Sequence, residues 1–127
     1  MRATRSVSGA ELRFRRALWA AGARGFRRVS SLPGRPDIVF TAVRVAVFVH
    51  GCYWHRCPLC QLPWPKANAE FWREKLQRNV IRDREAEQLL VEAGWTVLTV
   101  WEHDLRADIE AAAVRVATLI DAQRQAQ

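Results

Sequence analysis

The chain has 127 residues, half of them hydrophobic, which fits one folded domain spanning 1–127 and argues against disorder throughout. Lys and Arg number 20 against 13 Asp and Glu, and the net charge of +7 suggests a polyanionic partner, nucleic acid first, with a merely basic surface as the alternative. No apolar run nears the roughly 20 residues of a membrane span, and the N-terminus carries no signal-peptide core, so a cytoplasmic protein away from the membrane is expected.

Residues 1–8 are small and polar and are expected to fray, as are residues 123–127. Ser8 stands three residues before Glu11, a capping-box spacing, and Leu12, Ala17, Leu18, Trp19 and Ala21 predict a helix over about 9–21 that Gly22 ends. Phe26 to Val29 reads as a short strand. The turn Pro33-Gly34-Arg35-Pro36 delivers Asp37 to a strand Ile38–Phe40, and Val43 to Val49 has the continuous apolar run of a central strand. Residues 51–67, with Pro58, Pro63 and Pro65, are an irregular loop, and a loop of that length needs a function or a staple. Asn68 is placed to cap a helix over about 69–93, with Phe71, Leu76, Val80, Leu89 and Leu90 inward and Gly94 as its stop. Trp95 to Trp101 reads as a buried strand, and Asp104 as the cap of a last helix near 105–122. The order predicts an α/β fold, a small mixed sheet with helices on both sides.

The loop concentrates the chemistry. All three cysteines and two of the three histidines fall between His50 and Cys60. In a reducing compartment, three such cysteines read as metal ligands rather than a disulfide framework. Cys52, Cys57 and Cys60 with His103, at the end of the last strand, would make a closed tetrahedral Zn²⁺ site of the structural kind. A redox pair at Cys57-X-X-Cys60 is the rival, and it leaves Cys52 and His103 unexplained. Asp37 at a strand start is either a turn residue or the ligand of a hard divalent cation that keeps its waters and promotes attack on a phosphodiester. His50 and His55 then remain for proton transfer. Asp83 falls near the inward stripe of the long helix, where a carboxylate needs a partner; a histidine would serve, and Arg82 or Arg84 is the plainer choice. Tyr53, Trp54 and Trp72 either pack around the zinc or present a rigid aromatic wedge to a base step.

Leu32-Pro-Gly-Arg-Pro-Asp37, Val47-Phe-Val-His-Gly-Cys-Tyr-Trp-His55, Phe71-Trp72, Asn79-Val-Ile-Arg-Asp83 and Gly94-Trp-Thr-Val-Leu-Thr-Val-Trp-Glu102 together resemble the very-short-patch repair (Vsr) endonucleases. The likeness runs from about Glu11 to Leu105. It implies a restriction-endonuclease-like, PD-(D/E)XK-type fold with a structural zinc. It also implies Mg²⁺-dependent nicking of double-stranded DNA on the 5′ side of the thymine in a T:G mismatch left by deamination of 5-methylcytosine. By the same resemblance Asp37 is the metal-binding aspartate, the Val49 carbonyl a second metal contact, His55 the general base and Asp83 its support. His50 is a further active-site histidine, Glu11 an auxiliary acid, and Tyr53, Trp54 and Trp72 the wedge. A bacterial, nucleoid-associated monomer is implied, with mismatch-repair proteins of the MutL type as possible partners. Three features depart from the family. His103 stands where cysteine is usual and Cys57 or Cys60 where a loop histidine is usual, Val49 replaces a threonine, and the arm before the first helix is short. A less selective nickase of restriction or phage defence, or a non-catalytic zinc-stabilised DNA-binding module, are the competing readings.

Overall fold

The computed structural model describes residues 9–126. In chain order these form α1 (Gly9–Ala20), β1 (Ile38–Phe40), β2 (Val45–His50), α2 (Ala69–Glu92), β3 (Thr96–Trp101) and α3 (Glu102–Ala126). Contacts gather the chain into two compact units, one of Phe26–Glu102, the other of the segment up to Gly25 with His103 onward.

The Phe26–Glu102 unit is built on a three-stranded sheet in the order β1-β2-β3, with β1 antiparallel and β3 parallel to β2. That mixture decides where chemistry can collect. An antiparallel partner brings the start of β1 beside the end of β2, and a parallel partner brings the end of β3 to the same place. Asp37, His50 and Trp101 therefore meet at one end of the sheet. As expected of the central strand, β2 is buried almost throughout, and Val45 and Val47 are fully enclosed. Each such side chain contributes roughly 1.5–3 kcal/mol as an upper bound. By contrast β3, expected to be buried, is only half covered apart from Val100. It pairs on one side only, so its apolar composition reflects a face rather than full enclosure. The expected strand at Phe26–Val29 is reduced to a single bridge, Arg27 to Val39.

Period two along β2 puts Ala46, Phe48 and His50 on one face. Ala46 and Phe48 pack there with Leu90 of α2, joined by Leu32, Trp95 and Val97. In α2 the inner stripe is Leu76, Ala86 and Leu90, while Phe71 and Leu89, expected inward, are 58% and 54% exposed. The reason is geometric: Phe71 and Leu89 lie a whole number of turns apart and share the outer side, whereas Leu76, Asp83 and Leu90 repeat every two turns on the inner one. Gly94, at φ 93°, closes α2 in a Schellman arrangement, with Gly94 N–H donating to Val91 O and Trp95 N–H to Leu90 O. Asn68 does occupy the N-cap of α2, but in the left-handed region and with no side-chain bond to the helix.

In the other unit α1 buries Glu11, Phe14 and Leu18, and α3 buries Leu105, Ala112, Ala113, Val116, Ala117 and Ile120. The Ser8 half of the expected capping box lies outside the described residues. The last helix begins earlier than expected and breaks at Asp108, whose extended backbone (φ −166°) and side chain, accepting Ala111 N–H at 3.0 Å, start a second segment. Asp108, not Asp104, is thus the cap.

Candidate active site

Asp37 is buried at the mouth of β1. Its Oδ2 accepts the Val49 N–H at 2.8 Å, a contact that the antiparallel pairing makes possible, and Arg28 Nη1 stands 3.4 Å from Oδ1. Sequence reasoning missed Arg28. The signal was the short segment before the turn, which bridges to β1 at Arg27 and so carries its neighbour alongside Asp37.

The turn that delivers Asp37 is held tightly. Gly34 has φ 74°, and a Cβ there would lie 2.7 Å from Ala86 Cβ and 3.1 Å from the Phe48 ring. Arg35 also adopts a left-handed conformation, φ 52°, directly before Pro36. Such a backbone costs a non-glycine residue on the order of 1–3 kcal/mol and persists only where its surroundings enforce it.

His50, the last residue of β2, shares the α2-facing side with Phe48, and its ring lies 5.4 Å from Phe48 and 5.3 Å from Trp101. His55 follows after one turn of the loop, its N–H donating to Gly51 O. The two imidazoles stack, centroids 3.8 Å apart and planes within 5°. Asp83, one step along the inner stripe of α2, places Oδ2 2.7 Å from His55 Nδ1. So the carboxylate takes a histidine as partner rather than Arg82 or Arg84. Burial, and then the charge of His55, lowers the His50 pKa to about 4, with the Asp83 and Asp37 carboxylates pulling the other way. His50 is therefore neutral at neutral pH. Ligand atoms of His50, His55 and Asp83 all fall within 4.8 Å of one another. A cavity of about 200 Å³ opens beside them, with Arg56, Arg84, Thr99 and Trp101 in its wall.

The loop after β2 folds back on its cysteines. Cys57 N–H donates to Cys52 O, Cys52 N–H donates to the Glu102 carboxylate at 3.2 Å, and the three sulfurs lie within 4.8 Å of one another. The thiols share their protons unequally: burial, followed by Cys52 and Cys57, pushes Cys60 up to about 11. At Cys57 burial is outweighed by hydrogen bonds from the Cys60 and Leu59 backbone and from the Cys60 and Cys52 thiols, which hold it down. A soft divalent cation ends that sharing by replacing the protons, so this set could hold a metal ion such as zinc. His103 is the residue directly after Glu102, and its Nε2 stands 3.3 Å from Asp104 Oδ1.

Tyr53, Trp54, Trp72 and Phe71 form a run of ring contacts at 5.1, 6.1 and 5.3 Å. Trp54 is 51% exposed, so these rings are not simply a core around the thiols. Asn79 Nδ2 donates to Trp54 O, and Lys75 lies 5.5 Å from the Trp72 ring. Arg56 stacks on Trp64 at 4.0 Å, donates to the Tyr53 and Leu62 carbonyls, and ties the loop together; Arg73 lies 4.4 Å from the same indole. Neither Arg56 nor Trp64 was singled out by sequence reasoning, since cation–π pairs leave no spacing rule.

The family model described as DNA mismatch endonuclease Vsr matches residues 1–61. The chain is 37% identical over 98 residues to the Type II nicking enzyme V.NmeAIP of Neisseria meningitidis serogroup A, a match covering 76% of this chain and 69% of that protein. The chain belongs to the Vsr family. It is also 54% identical over 80 residues to the Type II nicking enzyme V.NaeI of Lentzea aerocolonigenes, and 48% identical over 77 residues to the DNA mismatch endonuclease Vsr of Escherichia coli K12. Those matches cover 63% and 61% of this chain but only 48% and 49% of the relatives, so the chain spans about half their length.

In this Vsr-family chain one unit brings together Asp37, His50, His55, Asp83, the three cysteines and the aromatic run. Glu11 belongs to the other unit, where it is buried and paired with Arg15 at 2.8 Å. For Val49 the observed contact is through its N–H, to Asp37. No described helix is long and apolar enough to cross a membrane.

Proposed function

We propose that this protein is a Mg²⁺-dependent DNA endonuclease that nicks the phosphodiester 5′ of the thymine in T:G mismatches, on a restriction-endonuclease-like PD-(D/E)XK fold stapled by zinc. The 2.7 Å contact between His55 Nδ1 and Asp83 Oδ2 supports this reading most. The carboxylate holds the proton on Nδ1, which leaves the Nε2 lone pair free to take a proton from water. Stacked His50, kept neutral by burial, props the ring without opposing the positive charge that His55 gains.

Asp37 fits a hard cation: it is a buried carboxylate next to a main-chain strand end, where the Val49 carbonyl would be the second oxygen. Arg28, 3.4 Å from Asp37 Oδ1, would share or yield that carboxylate oxygen. When bound, the magnesium ion supplies activated water and neutralises charge on the phosphoryl oxygens. Glu11 is the auxiliary acid of this scheme. For zinc, Cys52, Cys57 and Cys60 would be joined by His103, with Asp104 holding the Nε2 side of the ring as an outer partner. Tyr53, Trp54 and Trp72 would enter the duplex beside the mismatch, where unstacking is cheapest. Duplex DNA, a monomeric state, a cytoplasmic nucleoid setting and contact with MutL-type proteins belong to the same proposal.

The test is single-turnover nicking and binding on matched and T:G duplexes. His55→Ala should cut the rate by about 10²–10⁴ and leave affinity within a few-fold. Wild-type protein that never nicks a T:G duplex in Mg²⁺ would refute the reading. The relatives named Type II nicking enzymes favour a second reading, a less selective nickase, and equal rates on matched and mismatched duplexes would establish it.

A further inference from the structure

On the flank of His55 that faces the Gly34 turn lies an open groove of about 500 Å³ lined by Gly34, Arg35, His55, Asn79, Arg82 and Asp83. We propose that the guanidinium groups of Arg35 and Arg82 form a seat in this groove for one backbone phosphate of the DNA strand, which positions that strand against the His55–Asp83 pair; the inference rests on the nuclease reading above.

Three observations carry it. First, both arginines are exposed, and neither guanidinium has a hydrogen-bond or ion-pair partner among the described residues, whereas Arg28, Arg56 and Arg78 all do. The acid nearest in sequence to Arg82, Asp83, is already engaged by His55. Two unmatched cations lining one groove repel each other, and an anion between them reverses the sign of that interaction. Second, the groove is open, so a polymer backbone can pass through it. A phosphodiester offers two non-bridging oxygens, which suit two planar forks better than a point charge would. Third, the positions are fixed from both sides. Arg35 is locked by a turn whose preceding glycine sits against Ala86 and Phe48, and Arg82 rides on α2 next to Asp83. A phosphate held there lies beside His55 and Asp83, which line the same groove.

The experiment replaces the phosphates of a T:G duplex one at a time by neutral methylphosphonates and measures binding constants. The proteins are wild type, Arg35→Ala/Arg82→Ala, Arg35→Lys/Arg82→Lys and Arg124→Ala, a control that removes one exposed charge away from the groove. With wild type, one position near the nicked bond should cost about tenfold in affinity. In the double alanine variant that position should cost nothing further, while all other positions keep their effect. The slope of log affinity against log salt should fall by about 0.9, the share of one neutralised phosphate, and the lysine variant should restore the slope but only part of the affinity. The proposal is overturned if the double alanine variant, folded by urea titration, keeps the full wild-type pattern, or if its salt slope matches that of Arg124→Ala. Because the readout is binding, it survives a failure to nick. Conversely, a double alanine variant that nicks and binds like wild type removes the seat and leaves the nuclease reading standing.

Discussion

Replacing Gly34 by alanine tests how firmly the turn before Asp37 is seated. The new Cβ would meet Ala86 Cβ at 2.7 Å and two Phe48 ring atoms at 3.1 Å, at a backbone of φ 74°. The left-handed conformation costs an L-residue about 1–2 kcal/mol, and forcing a methyl into a packed contact about 1–3 kcal/mol more. The expected loss is about 2–5 kcal/mol, a large part of the roughly 5–15 kcal/mol that holds a domain together. With a urea slope near ~1.5 kcal/mol per molar, the unfolding midpoint should fall by about 1–3 M. The two contributions separate in a double-mutant cycle. Ala86→Gly alone should cost about 1 kcal/mol as a helix glycine. Combined with Gly34→Ala, it removes the shortest contact but leaves the backbone strain, so the pair should be more stable than additivity predicts by about 1 kcal/mol or more. A Gly34→Ala variant within about 0.5 kcal/mol of wild type, or a cycle additive to within that margin, would refute the seating.

Asp37→Asn should abolish nicking while DNA binding stays intact or strengthens, because on the proposed mechanism it removes the metal ligand and a negative charge facing phosphate; retained turnover in Mg²⁺ would contradict it. Asp83→Asn should resemble His55→Ala in milder form in single-turnover rates, since the ring loses its orientation but not its nitrogen; a larger loss than His55→Ala would reverse the assignment. Elemental analysis should give one zinc per chain, and Cys57→Ala should lower the thermal midpoint severely; a well-folded protein purified free of zinc would defeat the idea. For His50 the folded pKa of about 4 lies below the ordinary 6.5, so its contribution is complete above pH 6.5 and is lost as pH falls from 6.5 to 4. Urea titrations at pH 7 and 4.5 should show wild type losing about 2 kcal/mol more than His50→Gln over that window; equal losses would place His50 in water.

The sequence revealed the order of elements because strong local signals agreed: the apolar run of β2, the glycine after α2, the prolines of the loop. Asp83 near the inner stripe and two histidines around the loop made their partnership legible as well. What stayed hidden depended on facing directions. Phe71 and Leu89 were misjudged because apolarity alone does not say which side of a helix is covered. Arg28 was missed because a single bridge replaces the expected strand, and Trp64 because its cations come from Arg56 in the loop and from Arg73 on α2. The His50–His55 stack needed the actual path of the turn between them, and no spacing rule supplies that.

The parallel pairing of β2 with β3 has a consequence for the order of assembly. The β1–β2 hairpin is local, and with it come Asp37 and its bond to the Val49 N–H. The contact from Cys52 to Glu102 closes a separation of 50 residues, and that from His55 to Asp83 one of 28. Distant closures carry the larger loop entropy and form later. During synthesis the strand bearing Asp37 therefore emerges and pairs well before α2 can lend Asp83 to His55. A half-made chain holds Asp37 in place but leaves His55 unoriented, so the set of side chains proposed for catalysis is complete only once α2 has packed. In refolding experiments, strand cleavage should return only with the last kinetic phase.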